Sequence, residues 1–196
     1  MTNPSPDLAA LREAILCGDP SRAMPALVGL REVPLEQAVP LLLLGLEQSM
    51  FMVRSLSCAG LGVKQNEAGW QALVAAMQDD EDANVRAEAA NALVSHSFER
   101  AWPLLRDVFA ADQQWLVRCS ILSALAEQPA IDPAWLLELA SMAITDADGT
   151  VRVGGAEILA RLVREQGAAE ARVLLQLLQA DPDHRVVAAA LNGLQS

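Results

Sequence analysis

The sequence predicts an all-α solenoid of about six antiparallel helix pairs, on three observations. A nine-residue figure recurs along the chain: VRSLSCAGL from Val53, VRAEAANAL from Val85, VRCSILSAL from Val117, VRVGGAEIL from Val151 and the variant VVAAALNGL from Val186. Its starts lie 32, 32, 34 and 35 residues apart, a period typical of stacked helical units that cannot bury their apolar faces alone. Hydrophobic residues are 53% of the 196, with few aromatics, which suits an Ala- and Leu-rich helical chain with one substantial core. No stretch shows the sustained period-2 alternation of a half-buried strand.

In chain order, Met1 to Asp7 is a polar tail, and Asp7 to Cys17 with Ser21 to Leu30 form a first helix pair separated by the breaker Gly18-Asp19-Pro20. This pair lacks the Val-Arg figure, as expected of a terminal unit with a single neighbour. Residues 1–33 thus read as a degenerate capping pair and 34–194 as five repeats, in one domain spanning 1–196. Pro34 opens the second pair: Leu35 to Gln48, with Pro40 in its early turns, then Phe51 to Gly62. A proline there removes one hydrogen bond and bends the helix. Glu67 to Gln78 with Ala83 to Val94 make the third pair, and Phe98 to Ala110 with Gln114 to Glu127 the fourth. Asp132-Pro133 starts the fifth, Ala134 to Ile144 and Gly149 to Arg164; Gly167 precedes the last, Ala168 to Leu178 and Asp183 to Leu194.

Within each second helix the first, fifth, eighth and ninth residues of the figure, such as Val85, Ala89, Ala92 and Leu93, form one apolar stripe. An acid stands five residues before the first valine at Asp80, Asp112, Asp146 and Asp181, and an arginine follows that valine at Arg54, Arg86, Arg118 and Arg152. The pattern D-x4-V-R at Asp80/Arg86, Asp112/Arg118 and Asp146/Arg152 resembles the HEAT repeat, related to armadillo folds, and the short period is similar to the HEAT-like repeats of phycobilisome lyases. The resemblance covers about 34–194. It implies a right-handed superhelix in which Asp and Arg form a ladder between repeats, with each guanidinium holding the carboxylate of its own pattern and bridging to the next repeat. Gln48 replaces the acid in the first full repeat and Val187 the arginine in the last, near the ends of the ladder.

The formal charge is −11, with 25 acidic against 14 basic residues and Lys64 the only lysine. Nucleic-acid binders need a basic stripe to displace phosphate counterions, so nucleic acid is not an expected partner. No apolar run reaches the length of a membrane span and the opening residues do not read as a signal peptide, so a cytoplasmic protein without membrane insertion is expected. Cys17, Cys58 and Cys119 have no CxxC spacing and read as small buried thiols; metal sites, and an iron–sulfur carrier in particular, are not expected.

His96 and His184 have no i,i+4 partner and are placed at helix ends. The acidic turn Asp79-Asp80-Glu81-Asp82 lacks the alternating ligands of a calcium loop and reads as helix capping. Gly154-Gly155 inside a predicted helix implies close packing, or close approach by another molecule. Trp70, Trp102 and Trp135 recur in register and are expected to seal repeat joints, while Trp115, out of register, is expected to be exposed.

No catalytic constellation is legible, so the leading expectation is a non-catalytic interaction scaffold or assembly factor without a cofactor, binding another protein. In the HEAT family the second helices line the concave surface, and the third, fourth and seventh positions of the figure should face it. These are Ser55, Leu56 and Ala59; Ala87, Glu88 and Asn91; Cys119, Ser120 and Ser123; Val153, Gly154 and Glu157; and Ala188, Ala189 and Asn192. Small residues there let another backbone come close, with Ser120 and Gly154 at the centre. The alternative that the lyase resemblance implies is a bilin lyase subunit or bilin-handling chaperone acting on phycobiliproteins, with an open-chain tetrapyrrole near Trp115 and Cys119. The oligomeric state is left open.

Overall fold

Side-chain oxygens just ahead of an apolar run satisfy the free N–H groups at a helix start, and this chain uses the device repeatedly. Asp7 accepts from Ala9 and Ala10, Asp19 from Ser21, Asn66 from Gly69 and Asp82 from Asn84. Asp132 accepts from Ala134, Asp148 from Thr150 and Asp183 from Arg185. The structure, a computed structural model, describes residues 7–195; the polar stretch 1–6 lies outside them. Among the described residues there is no strand.

The chain divides into two compact units, Met1–Ser97 and Phe98–Ser196. The first holds α1 (Leu8–Leu16), α2 (Pro20–Gly29), a 3₁₀ turn (Leu30–Glu32), α3 (Leu35–Leu46), α4 (Phe51–Val63) and α5 (Glu67–Asp79). Its last helix, α6, is residues 83–96 of the helical run Ala83–Ala111, which is interrupted at Ser97 by extended backbone (φ −168°, ψ 111°). The second unit begins with the remainder of that run, α7 (98–111). It continues with α8 (Trp115–Ala126), α9 (Pro133–Ala143), α10 (Gly149–Gln166), α11 (Ala169–Leu177), a 3₁₀ turn (Leu178–Ala180) and α12 (His184–Gln195). The helices start and end within about two residues of the positions read from the sequence, and α3 runs through Pro40.

Within the units, α4 packs on α3 and α2, and α10 packs on α9, α8 and α12. The first valine of the figure is buried in all five copies. Because a second helix has neighbours on two sides, its buried stripe is wider than four positions. The sixth position is buried as well, at Cys58, Ala90, Leu122 and Ala156, and becomes exposed only at Leu191 of the last helix.

Close helix approach explains the paired glycines. A Cβ on Gly155 would lie 2.8 Å from the Ala143 Cβ and 3.1 Å from the Ile144 backbone nitrogen, atoms that cannot swing aside. A Cβ on Gly154 would meet only the Leu122 side chain, with Cδ1 at 3.0 Å. Both glycines therefore let helices of this chain pack. Gly167, which ends α10, has φ +62°, and its left-handed conformation favours glycine.

Gly155→Ala is accordingly expected to destabilise the protein by about 1–3 kcal/mol through overpacking. Gly154→Ala should cost clearly less, because it displaces a side-chain end and gains helix propensity. Chemical denaturation of the two variants measures the difference, and equal midpoints would refute the packing argument.

Candidate functional site

The Asp and Arg of the repeat pattern do form a ladder within each unit, but with a pairing different from the one expected. Arg54 donates through Nε and Nη2 to the Asp80 carboxylate at 2.8 and 2.9 Å, and through Nη1 to the carbonyls of Gln48 and Ser49. Arg118 donates to the Asp146 carboxylate at 2.6 and 2.8 Å and to the Asp112 carbonyl. Arg152 donates to the Asp181 carboxylate at 2.9 Å through both nitrogens and to the carbonyls of Asp146 and Ala147. Arg86 reaches the carbonyls of Asp80 and Glu81 in the same way. All four arginines thus take the backbone of their own turn, and Arg54, Arg118 and Arg152 also take the carboxylate of the following repeat. The expectation that a guanidinium holds its own repeat's carboxylate, as for Arg118 with Asp112, is corrected. That carboxylate is turned away by its own backbone, accepting from the N–H two residues on, as Asp112 does from Gln114.

The same geometry divides the acidic turns into two roles. In Asp80-Glu81-Asp82, Asp146-Ala147-Asp148 and Asp181-Pro182-Asp183 the first acid accepts from the arginine and from the N–H of the second, which caps the helix. Among the described residues no group of three or more His, Cys, Asp and Glu is placed to hold a metal ion. Burial opposes ionisation of Asp80, yet the Arg54 hydrogen bond, the Asp82 N–H and the charges of Arg54 and Arg86 hold its carboxyl below the ordinary value. The Arg152 hydrogen bond does the same for Asp181.

A second set of ties, not legible in the sequence, joins the C-terminal ends of second helices. The Lys64 ammonium donates to the carbonyls of Arg31 and Val33, His96 Nε2 donates to the Leu61 carbonyl at 2.9 Å, and Arg161 donates to the Ala126 carbonyl. Three different donors stand at nearly the same place, 11, 11 and 10 residues after the first valine of the figure, so no residue pattern announces it. The indole of Trp70 meets His96 edge-on at 5.8 Å, and Trp102 stacks on Trp135 at 5.1 Å with planes 6° apart. The first contact lies within one pair, between α5 and α6, and the second joins successive pairs through α7 and α9; Trp115 is 45% exposed.

The residues assigned to the binding face are not uniformly open. Ser55, Leu56, Glu88, Asn91, Cys119, Ser120, Val153 and Gly154 are half-buried, while Ser123 and Glu157 are exposed. Ala87 is buried and is removed from the face, because the wide stripe of α6 takes in the third position and an alanine is too short to reach past it. The reading of all three thiols as buried is also corrected. Cys17 is exposed at the end of α1, Cys119 is half-buried and only Cys58 lies in the core. Burial pushes the Cys58 thiol up to about 12 and raises that of Cys119.

Among the described residues, grooves open on second-helix surfaces, and three of them bear on the binding face. One of about 220 Å³ in the first unit is lined by Val28, Leu56, Ala59 and Val63, with Arg31 and Lys64 at one end. A second, of about 340 Å³, runs along Met24, Phe51, Met52, Leu56 and Ala59 to Asn84 and Glu88. Sharing Leu56 and Ala59, the two form one continuous surface, apolar over α2 and α4 and bordered by Asn84 and Glu88 of α6. Val28 is 60% exposed, Val63 57%, Met52 40% and Phe51 37%. The third groove, in the second unit, is more polar, with Ser123, Gly154, Glu157, Arg161 and Arg164 among its walls. Ser120, expected at the centre of the face, lines none of the three. The open apolar side chains of α2 and of the start of α4 were missed because they lie outside the nine-residue figure.

Stacked helix pairs joined by an Arg–Asp ladder define an α-helical repeat protein. Residues 39–126 match the family described as HEAT repeats, and the chain has a helical-repeat fold like that of such proteins. No curated protein sequence matches it. Among solved structures, YibA of Escherichia coli is 17% identical with a TM-score of 0.69, over 96% of this chain and 70% of that one. Human deoxyhypusine hydroxylase in complex with glycerol is 14% identical with a TM-score of 0.51, over 96% of each chain. The complex of CpcE and CpcF of phycocyanin lyase from Nostoc sp. is 22% identical over 97% of this chain and 100% of that one, at a TM-score of 0.43, too loose a superposition to carry an argument. Identities this low show a shared fold only.

The ladder yields two expectations. Arg118→Ala should cost about 1.5–3 kcal/mol, the range for hydrogen bonds to charged groups, whereas Arg164→Ala, at an exposed helix end, should cost far less; equal denaturation midpoints would remove the ladder as a stabilising element. Asp80→Asn should lose most stability at neutral pH. The folded Asp80 carboxyl lies below its ordinary 3.8, so its contribution is present above that value and is lost as the pH falls through the folded one. The gap between parent and variant should therefore shrink in acid, and a gap constant from pH 7 to pH 2 would contradict the assignment.

Proposed function

We propose that this protein is a non-catalytic interaction scaffold or assembly factor that holds a protein segment along the face made by its second helices. The observation carrying this reading is the mainly apolar surface over α2 and α4, bordered by Asn84 and Glu88 of α6, on which Val28, Phe51, Met52 and Val63 stay open to water. Large apolar side chains gathered in water mark a surface meant to be covered. The rest of the structure supports a passive role. Among the described residues every buried side-chain nitrogen or oxygen has a hydrogen-bond partner, and the raised thiols of Cys58 and Cys119 are poor nucleophiles at neutral pH. No helix among the described residues is long and apolar enough to cross a membrane.

Affinity capture from the cells that make the protein tests the reading. The parent and a Gln71→Arg variant, altered on exposed α5, are expected to retain the same protein, and Leu56→Gln and Met52→Gln to lose most of it. A partner retained equally by all four would place binding elsewhere. Addition of an open-chain tetrapyrrole to the purified protein should leave the pigment's absorbance unchanged; a saturable spectral shift would favour a tetrapyrrole-handling role instead.

A further inference from the structure

We propose that the apolar surface of the first unit takes an amphipathic α-helix, seated across α2, α4 and α6, with a basic residue of that helix placed against Glu88. The proposal rests on the scaffold reading above and adds the chemistry of the partner.

The argument for a helix begins with the floor of the groove. It is made of helices, whose backbone groups are already paired internally, so it offers no row of N–H and C=O groups to an extended chain. An extended segment pressed into it would bury its own backbone polar groups unpaired, at substantial cost. A helix pairs its own backbone and needs only apolar side chains at i, i+3, i+4 and i+7 to fill the space. The walls suit such anchors. Met24 and Met52 are unbranched and adapt to varied shapes, Phe51 provides an aromatic wall, and Leu56 lies where the two grooves meet.

The charge preference comes from Glu88, the one acid in the lining of the second groove. Its carboxyl is half-buried, hydrogen-bonded to Asn91, and pushed up by desolvation. A bound apolar or acidic group would strip the remaining water from this carboxylate without replacing it, whereas an ammonium or guanidinium would compensate the loss. The net charge of −11 attracts a cationic segment from a distance. At the far end of the surface stand the cations Arg31 and Lys64, the latter occupied by the carbonyls of Arg31 and Val33; Glu88 is the one acid of the two linings and the charge that favours a basic residue at its own end.

Two synthetic helical peptides with identical leucine positions, one carrying lysines on its polar face and one glutamates, test the proposal by titration calorimetry against the purified full chain. The Leu/Lys peptide should bind saturably and the Leu/Glu peptide at least about tenfold more weakly. Glu88→Gln should weaken the Leu/Lys complex roughly five- to tenfold, the loss expected for one partly desolvated ion pair. Glu81→Gln removes the same charge from an exposed acidic side chain and should change affinity less than about twofold. Met52→Gln, at an exposed position that does not threaten folding, should weaken both peptides. Equal binding of the two peptides, or equal effects of Glu88→Gln and Glu81→Gln, would overturn the proposal and reduce the attraction to net charge. If neither peptide binds while the captured partner is still lost on Leu56→Gln, the scaffold reading stands and the helix proposal falls. If capture is insensitive to Leu56→Gln, the scaffold reading itself fails.

Discussion

The bidentate bond from an arginine on one second helix to the aspartate in the turn of the next repeat is the constraint on which the rest of each unit depends. A planar guanidinium meeting a carboxylate through two parallel N–H groups permits little change of distance or rotation. Its third nitrogen is bound to the turn of its own repeat, so the arginine links two successive turns and sets how far apart they sit. In Arg54–Asp80, Arg118–Asp146 and Arg152–Asp181 both partners are largely covered by protein. Their charges are balanced by each other and by backbone groups rather than by water. The paired acids in each turn follow from this arrangement, since one is committed to the ladder and a second is needed to cap the helix.

The ladder fastens the N-terminal ends of the second helices, and Lys64, His96 and Arg161 fasten their C-terminal ends to the preceding repeat. Between the two rows of ties the helices approach closely through small residues, as where Gly62 lies against Ala92 and Gly155 against Ala143. These two rows of polar ties run along the edges of the second-helix face. The middle of the second-helix face is left with few structural duties, and its composition can answer to something outside the chain.

That freedom is used unequally. In the first unit the face is built from methionine, phenylalanine, leucine and valine, with one half-buried acid at the margin. In the second unit the corresponding groove mixes arginines with acids. Small residues such as Ser120 and Gly154 allow close approach, but in this protein the approach at Gly154 is made by Leu122 of a neighbouring helix. The apolar side chains open to water, rather than the smallest ones, mark the stronger candidate for a bound segment.

The sequence by itself determined the helical class, the six helix pairs and the identity of the ladder residues, because helix periodicity, capping and a repeat of about 32–35 residues are properties of the order of residues along the chain. It also placed His96 at a helix end and distinguished the exposed Trp115 from Trp102 and Trp135, which stack where two pairs meet. The partners in the ladder had to come from the tertiary structure. Asp80 lies five residues from Val85 in its own repeat and 26 residues from Arg54, and only the stacking of one helix pair on the next decides which arginine its carboxylate meets. The same holds for the burial of Ala87, the exposure of Cys17 and the donors that share one site as Lys64, His96 and Arg161. Each depends on what a neighbouring helix covers or offers. The apolar groove joins residues of α2, α4 and α6 that share no repeat position, so it exists only once those helices are packed.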